Sequence, residues 1–230
     1  MLIHHLGHSA LLVEDAGTRL LVDPGNFSDV DAIRALTGID AVLLTHRHPD
    51  HADPDLVAAV LTANPDARLH GEPGAIEDLV VADATAPFSG RFESLAPGQE
   101  IRAGGLDIAA VGGLHAIIHP DIPRVGNIGL IITPADADGP RLGVTGDSLE
   151  EIPEFREIDA LAFAVVAPWS KMRETIDFLR AVRPKLALPV HDAVASPEGR
   201  GIYLKQSAAL APEGTQVRDW PAGERVITLE

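Results

Sequence analysis

Residues 41–53 constrain this chain more than any other stretch. Ala41-Val42-Leu43-Leu44 is a short, wholly apolar run of the kind that forms a buried strand. It leads into Thr45-His46-Arg47-His48-Pro49-Asp50-His51. Asp53-Pro54-Asp55-Leu56 then reads as a helix start, with Asp53 as the cap and Pro54 in the first helical position. A strand, a tight loop and a capped helix thus frame His46, His48, Asp50 and His51. Neutral imidazoles and carboxylates are ligands for zinc and its neighbours. On so short a loop alternate side chains turn in different directions, so His46 and His48 can face one ion while Asp50 and His51 face a second. The competing reading is a polar turn that happens to be rich in histidine. That pattern arises by chance in roughly one chain in ten thousand of this length, so a functional role is favoured.

Further ligand types stand just beyond the ends of other apolar runs. Leu20-Leu21-Val22 ends at Asp23, Ile108–Val111 at Gly112-Gly113-Leu114-His115, Leu142-Gly143-Val144 at Thr145-Gly146-Asp147, and Leu186–Val190 at His191. Strand ends held by a rigid sheet are common places for sites. One such residue alone reads as a turn aspartate or a structural histidine; the set, beside His46–His51, does not.

The remaining pattern sets the fold class. Leu11–Val13 and Leu20–Val22 flank Glu14-Asp15-Ala16-Gly17 as a hairpin. The helix opened by Asp53 runs to about Ala63 and stops at Asn64-Pro65. A strand follows over Ala67–His70 and a helix over Gly74–Val81. Strands are expected at Glu100–Arg102, Leu106–Val111, Ile128–Thr133 and Arg141–Thr145. Strand-helix alternation resumes with Leu161–Val166, the helix Lys171–Val182, Lys185–Val190, the helix Gly201–Leu210 and a last strand at Val226–Leu229. Each half has a strand-rich part followed by strand-helix units. Two sheets packed face to face with helices outside satisfy that order. With neither an internal repeat nor a low-complexity linker, residues 1–230 read as a single domain.

The ordered set Asp23, His46-x-His48-x-Asp50-His51, His115, Asp147 and His191 closely resembles the metallo-β-lactamase-fold superfamily over nearly the whole chain. The opening His5-Leu6-Gly7-His8-Ser9-Ala10 is similar to a branch of small cytoplasmic hydrolases that includes the phosphorylated-ascorbate lactonase. The resemblance implies an α/β (α+β) four-layer αββα sandwich of two mixed sheets, with the site at one edge. It implies that His46, His48 and His115 bind a first metal, that Asp50, His51 and His191 bind a second, and that Asp147 bridges them. Asp23 is implied to hold the ligand loop from outside the coordination sphere. Two divalent ions roughly 3.5–4 Å apart can share a water and lower its pKa toward neutrality, without a serine or cysteine nucleophile. Asp50 and Asp147 are then the catalytic carboxylates. Zinc suits such a donor set, and manganese and iron fit it as well.

Composition narrows the function. The chain has no cysteine, which excludes disulfides, thiolate metal sites and cysteine nucleophiles. The net charge is −16 with no Lys/Arg cluster, which counts against nucleic acid as the partner and favours a small molecule. No apolar run approaches the ~18 residues of a membrane span. The N-terminus lacks a signal-peptide pattern, so a cytoplasmic enzyme is expected. A homo-oligomer is compatible with this, since such assemblies are common among enzymes.

Weaker candidates surround the main set. His8 either lines the pocket or anchors its turn. His119, four residues after His115, reads as a pocket acid or a plain loop histidine. Trp169 and Lys171 read as substrate contacts or as a helix start with a half-buried ring. His70 and Asp192 read as structural. The function expected is hydrolysis of a small-molecule ester, lactone or phosphate ester. A ribonuclease or phosphodiesterase, and a non-catalytic binding member, are the alternatives; acidity counts against the first and the full ligand set against the second.

Overall fold

An apolar run that fills successive strand positions needs cover on both faces, whereas alternation needs it on one. The computed structural model, which describes residues 1–135 and 139–230, supplies both kinds of cover. The first half carries β1 (Leu2–His5), β2 (Leu11–Asp15), β3 (Thr18–Val22), α1 (Val30–Arg34), β4 (Ala41–Leu44), α2 (Pro54–Ala63), β5 (Arg68–Gly71), α3 (Pro73–Val81) and β6 (Phe92–Ser94). The second carries β7 (Glu100–Ala103), β8 (Leu106–Leu114), β9 (Gly126–Pro134), β10 (Leu142–Val144), β11 (Ala160–Ala164), α4 (Met172–Val182), β12 (Leu186–Val190), α5 (Pro197–Leu210), β13 (Gln216–Val217) and β14 (Val226–Thr228).

These strands form two seven-stranded mixed sheets, ordered β14-β1-β2-β3-β4-β5-β6 and β13-β12-β11-β10-β9-β8-β7. The final strand β14 crosses back to pair with β1, Ile3 opposite Ile227, and so ties the C-terminus into the first sheet. Between the sheets lie Leu11, Val13, Leu20 and Leu43 from one side and Ile108, Leu130, Val144 and Leu188 from the other. The alternate residues Leu12, Leu21, Val42 and Leu44 face outward onto Leu56, Val60 and Leu61 of α2 and Leu79 of α3. On the far side Leu161 and Phe163 pack against Phe178 and Leu179 of α4. The result is the αββα sandwich that the resemblance implied.

Strand direction places the site. β3 and β4 are parallel. β8 and β10 are each antiparallel to β9 and so share a direction, and β10, β11 and β12 are parallel. The C-terminal ends of β8, β10 and β12 therefore share an edge of their sheet.

Several boundaries differ from the sequence reading. The first hairpin turns on Ala16 and Gly17 alone, with Asp15 paired to Thr18. Both turn residues have positive φ, 46° and 84°, as a two-residue turn matched to strand twist requires. β8 and β9 run on past the expected ends, pairing through Leu114 opposite Gly126. β11 stops at Ala164 rather than Val166. α5 begins at Pro197, because the Ser196 side chain accepts from Gly199 N–H and Pro197 suits the first turn. The Asp53 cap and Pro54 stand where the sequence put them, Asp53 accepting from Leu56 N–H at 2.8 Å.

Candidate metal centre

Two groups of ligand types meet at the edge of the sandwich. His46, His48, His115 and Asp147 form one; His8, Asp50, His51 and His191 form the other. Within each group one ligand atom per residue lies within 4.8 Å of every other. The loop after β4 supplies residues to both groups, as the alternation of its side chains anticipated. Asp147 lies between them. Its Oδ2 is 3.2 Å from His115 Nε2 and 3.2 Å from His191 Nε2, and its Oδ1 is 3.1 Å from His51 Nε2.

Hydrogen bonds at the far side of each ring decide which nitrogen is bare. His51 Nδ1 faces Asp23 Oδ2 at 2.8 Å, His115 Nδ1 faces the Ala116 carbonyl at 2.7 Å, and His191 Nδ1 faces the Val166 carbonyl at 2.9 Å. These oxygens only accept, so each Nδ1 carries the proton and donates it. In the neutral form of each ring, the form that binds a metal, Nε2 then has the lone pair, directed inward. His46 reaches the same state by one more step. Thr45 Oγ1 donates to Asp23 Oδ2 at 2.7 Å and is therefore free to accept from His46 Nδ1 at 3.1 Å.

His8 has the opposite tautomer. Its Nδ1 accepts from Ala193 N–H at 3.2 Å, so its Nε2 bears the hydrogen and donates to Asp50 Oδ2 at 3.1 Å. The ring is buried and packs edge-on against Phe27. In this state His8 holds Asp50 and has no inward lone pair.

The electrostatics follow from burial and from these neighbours. Burial holds His46 well below the ordinary imidazole range, and the charge of His51 adds to the effect. Burial also depresses His8 and His48. For His51 burial acts downward too, but the carboxylates of Asp147 and Asp23 outweigh it and raise the ring well above its ordinary value. His191 is raised in the same way, Asp147 outweighing burial. Burial would raise Asp50, yet the His8 hydrogen bond and then the His51 charge bring it down to about 2. Asp147 is likewise held well below the carboxylate range, by His51 foremost, against the opposing effect of burial.

The donor set fits divalent cations on an observation independent of any family. Among the described residues, Asp147 Oδ1 and His191 Nε2 are buried and make no well-aligned hydrogen bond, although each has an ionic neighbour at 3.1–3.2 Å within the cluster. Orphaned buried polar atoms are rare and costly. Here both point into the same cluster of imidazole and carboxylate donors.

Asp23, fully buried at the end of β3, lies behind this cluster, accepting from Thr45 N–H at 2.8 Å as well as from the Thr45 hydroxyl and His51. Trp169 donates Nε1–H to Asp147 Oδ2 at 2.9 Å and walls the cavity in front of it. The structure corrects two candidates. The His119 side chain is 60% exposed and turned toward Asp121, and that of Lys171 is 84% exposed and paired with Glu174. Neither lines the cavity, because the stiff loop at Pro120 and the start of α4 direct them to solvent.

Some residues had no signal in the sequence. Asn127 accepts from Asp147 N–H at 2.9 Å and donates to the Thr145 carbonyl at 3.1 Å, fixing the turn that presents Asp147. Asn26 and Phe27, Ile118, and Val194 line the cavity from three separate loops. Single residues in loops have no period by which to be found.

Comparison with known proteins bears on the family and the fold. The family described as "Beta-lactamase superfamily domain" matches residues 2–191. Protein Rv0786c of Mycobacterium tuberculosis is 38% identical over 217 residues, covering 94% of this chain and 96% of its own length. A ribonuclease Z of Bradyrhizobium diazoefficiens is 37% identical over 115 residues, which cover only 44% of this chain and 38% of that one. Among solved structures, Igni18, a metallo hydrolase of Ignicoccus hospitalis, has a TM-score of 0.70 at 21% identity, covering 100% of this chain and 98% of its own. The chain belongs to the beta-lactamase superfamily, and its two-sheet sandwich with a histidine- and aspartate-lined edge is the metallo-β-lactamase fold.

Proposed function

We propose that this metal-dependent hydrolase holds two divalent cations, zinc being the best match to its donors, and cleaves a small-molecule ester, lactone or phosphate ester. His46, His48 and His115 would hold one ion and Asp50, His51 and His191 the other, with Asp147 placed between the two groups. The observation that carries this reading is the set of inward-facing Nε2 atoms around Asp147, with Nδ1 of His46, His51, His115 and His191 each held by an acceptor behind the ring. Zinc fits imidazole and carboxylate donors, and manganese or iron would use the same atoms.

Bound cations would supply Lewis-acid polarisation of the reacting oxygen and a water that ionises near neutral pH. The protein's part is positioning. Asp50, a carboxylate at any pH near neutral and steadied by His8 Nε2–H, accepts a hydrogen bond from the attacking water and orients it. Trp169 Nε1–H steadies Asp147. A substrate seated against the apolar wall around them would displace water from the site, which strengthens each of these contacts. The net reaction adds water across the scissile bond and returns a proton to the leaving oxygen.

The test is metal analysis of native protein and of Asp147→Ala, with hydrolysis of esters, lactones and phosphodiesters measured in parallel. About two metals per chain are expected in the native protein. Asp147→Ala should lose metal and activity together. Unchanged metal content in that variant would remove Asp147 from the assignment, and native protein without metal would overturn the reading.

A further inference from the structure

The wall of the cavity beside the metal centre points to a substrate class. We infer that the substrate is an uncharged carboxylic ester or lactone carrying an apolar chain, an inference that rests on the hydrolase reading above.

The cavity has a volume of about 460 Å³, within the range of small-molecule sites. Apart from the His and Asp residues of the centre and Asn26, its lining is wholly apolar: Phe27, Pro49, Ile118, Pro168, Trp169 and Val194. Phe27 is 51% exposed, Ile118 42% and Val194 39%, though each is a large hydrophobic side chain. Ile117 and Ile122, also exposed, line the two adjoining hollows. Isolated exposed hydrophobics need no explanation, but a group of them around one cavity mouth marks a binding surface.

The charges argue in the same direction. Among the described residues, no lysine or arginine lines the cavity. Arg47 turns to Glu77 and Asp78; Arg124 donates Nε–H to the His115 carbonyl and lines the two adjoining hollows rather than the cavity itself. Lys171 pairs with Glu174, and Arg200 is held by Asp192 and Asp219. A phosphate group is ordinarily gripped by arginine or lysine at oxygens away from the reacting bond. Here those oxygens would meet Phe27, Ile118 and Val194, on a chain of net charge −16. An acyl or alkyl chain meets the same wall favourably. In the reaction the acyl C–O bond breaks as the oxygen of water bonds to the carbonyl carbon. The alkoxide takes up a proton, and the products are a carboxylic acid and an alcohol (one hydroxy acid from a lactone).

The test uses the full-length protein saturated with zinc. The probes are p-nitrophenyl esters from acetyl to octanoyl, γ-lactones of matching chain length, and p-nitrophenyl mono- and diesters of phosphate. kcat/KM should rise about fourfold for each of the first added methylenes, from ~0.8 kcal/mol per buried CH₂. It should exceed that for both phosphate probes. Phe27→Ser and Val194→Asp should each lower the octanoyl-to-acetyl ratio by about tenfold with metal content unchanged. A flat chain-length series, or preference for a phosphate probe, overturns the apolar-substrate inference and leaves the hydrolase reading intact. Metal-loaded protein that cleaves none of the probes overturns both.

Discussion

At the scale of single residues, Asp23 shows how a carboxylate that need not touch a metal can decide whether one binds. It accepts three hydrogen bonds, from Thr45 N–H, the Thr45 hydroxyl and His51 Nδ1–H. Asp23→Asn keeps one acceptor oxygen but presents an amide N–H₂ in place of the other. That amide cannot accept from His51 or Thr45, so His51 flips its tautomer and carries its proton on Nε2. Metal affinity should fall by about 10–100-fold while the protein still folds, as measured by competition with a chromophoric chelator. Affinity equal to that of the native protein would show that the tautomer argument is wrong. His8 makes the complementary case. His8→Ala removes the donor to Asp50 and should lower kcat by about 10–100-fold with metal content unchanged. Loss of one metal instead would make His8 a ligand. The sequence made the ligand types legible, because histidines and aspartates follow apolar runs at readable places. It left the role of His8 open, since that role depends on Ala193 N–H, which only the folded chain brings near.

At the scale of elements, two loops must interlock. The loop after β3 passes so close to the loop after β4 that a Cβ on Gly25 would overlap the Asp50 carbonyl and His51 N. Gly25 therefore stands where the backbone has no room for a side chain. Gly25→Ala should destabilise the fold by about 1–3 kcal/mol and weaken metal binding, because the ligand loop itself must move. Gly201, within α5 and with open space at its Cβ, is the control. Gly201→Ala should stabilise by about 0.5–1 kcal/mol in denaturant unfolding. Equal effects at the two positions would contradict the close approach. Most elements were legible from apolar runs and caps, β4 and α2 above all. β1 and the cavity wall were not. Leu2–His5 is short and alternates weakly, while Phe27, Ile118 and Val194 acquire a common purpose only when separate loops converge.

At the scale of the whole molecule, the centre lies where the two sheets meet. Asp23 and the His46–His51 loop follow strands of one sheet; His115, Asp147 and His191 follow strands of the other. Cations held there would tie the sheets together and so link metal binding to folding. The sign of the pH dependence follows from the shifts. In metal-free protein His51 and His191 are raised, so their contribution to stability is present below the unfolded value near 6.5 and is lost as pH rises through the folded values. Asp147 is depressed, so its contribution is present above the unfolded value near 3.9 and is lost only as pH falls through the folded one. Metal must displace the protons on His51 and His191, so its affinity has the opposite slope to the histidine contribution and strengthens as pH rises. Free metal at about 100 times its Kd should add about 2.7 kcal/mol, or roughly 5–10 °C in Tm for a chain of this size. At a fixed free-metal concentration the increment should grow between about pH 6 and pH 8, as Kd falls. Calorimetric titrations in two buffers of different ionisation enthalpy should register proton release on binding. An increment independent of pH, with no protons released, would mean that His51 and His191 are already bare before metal arrives.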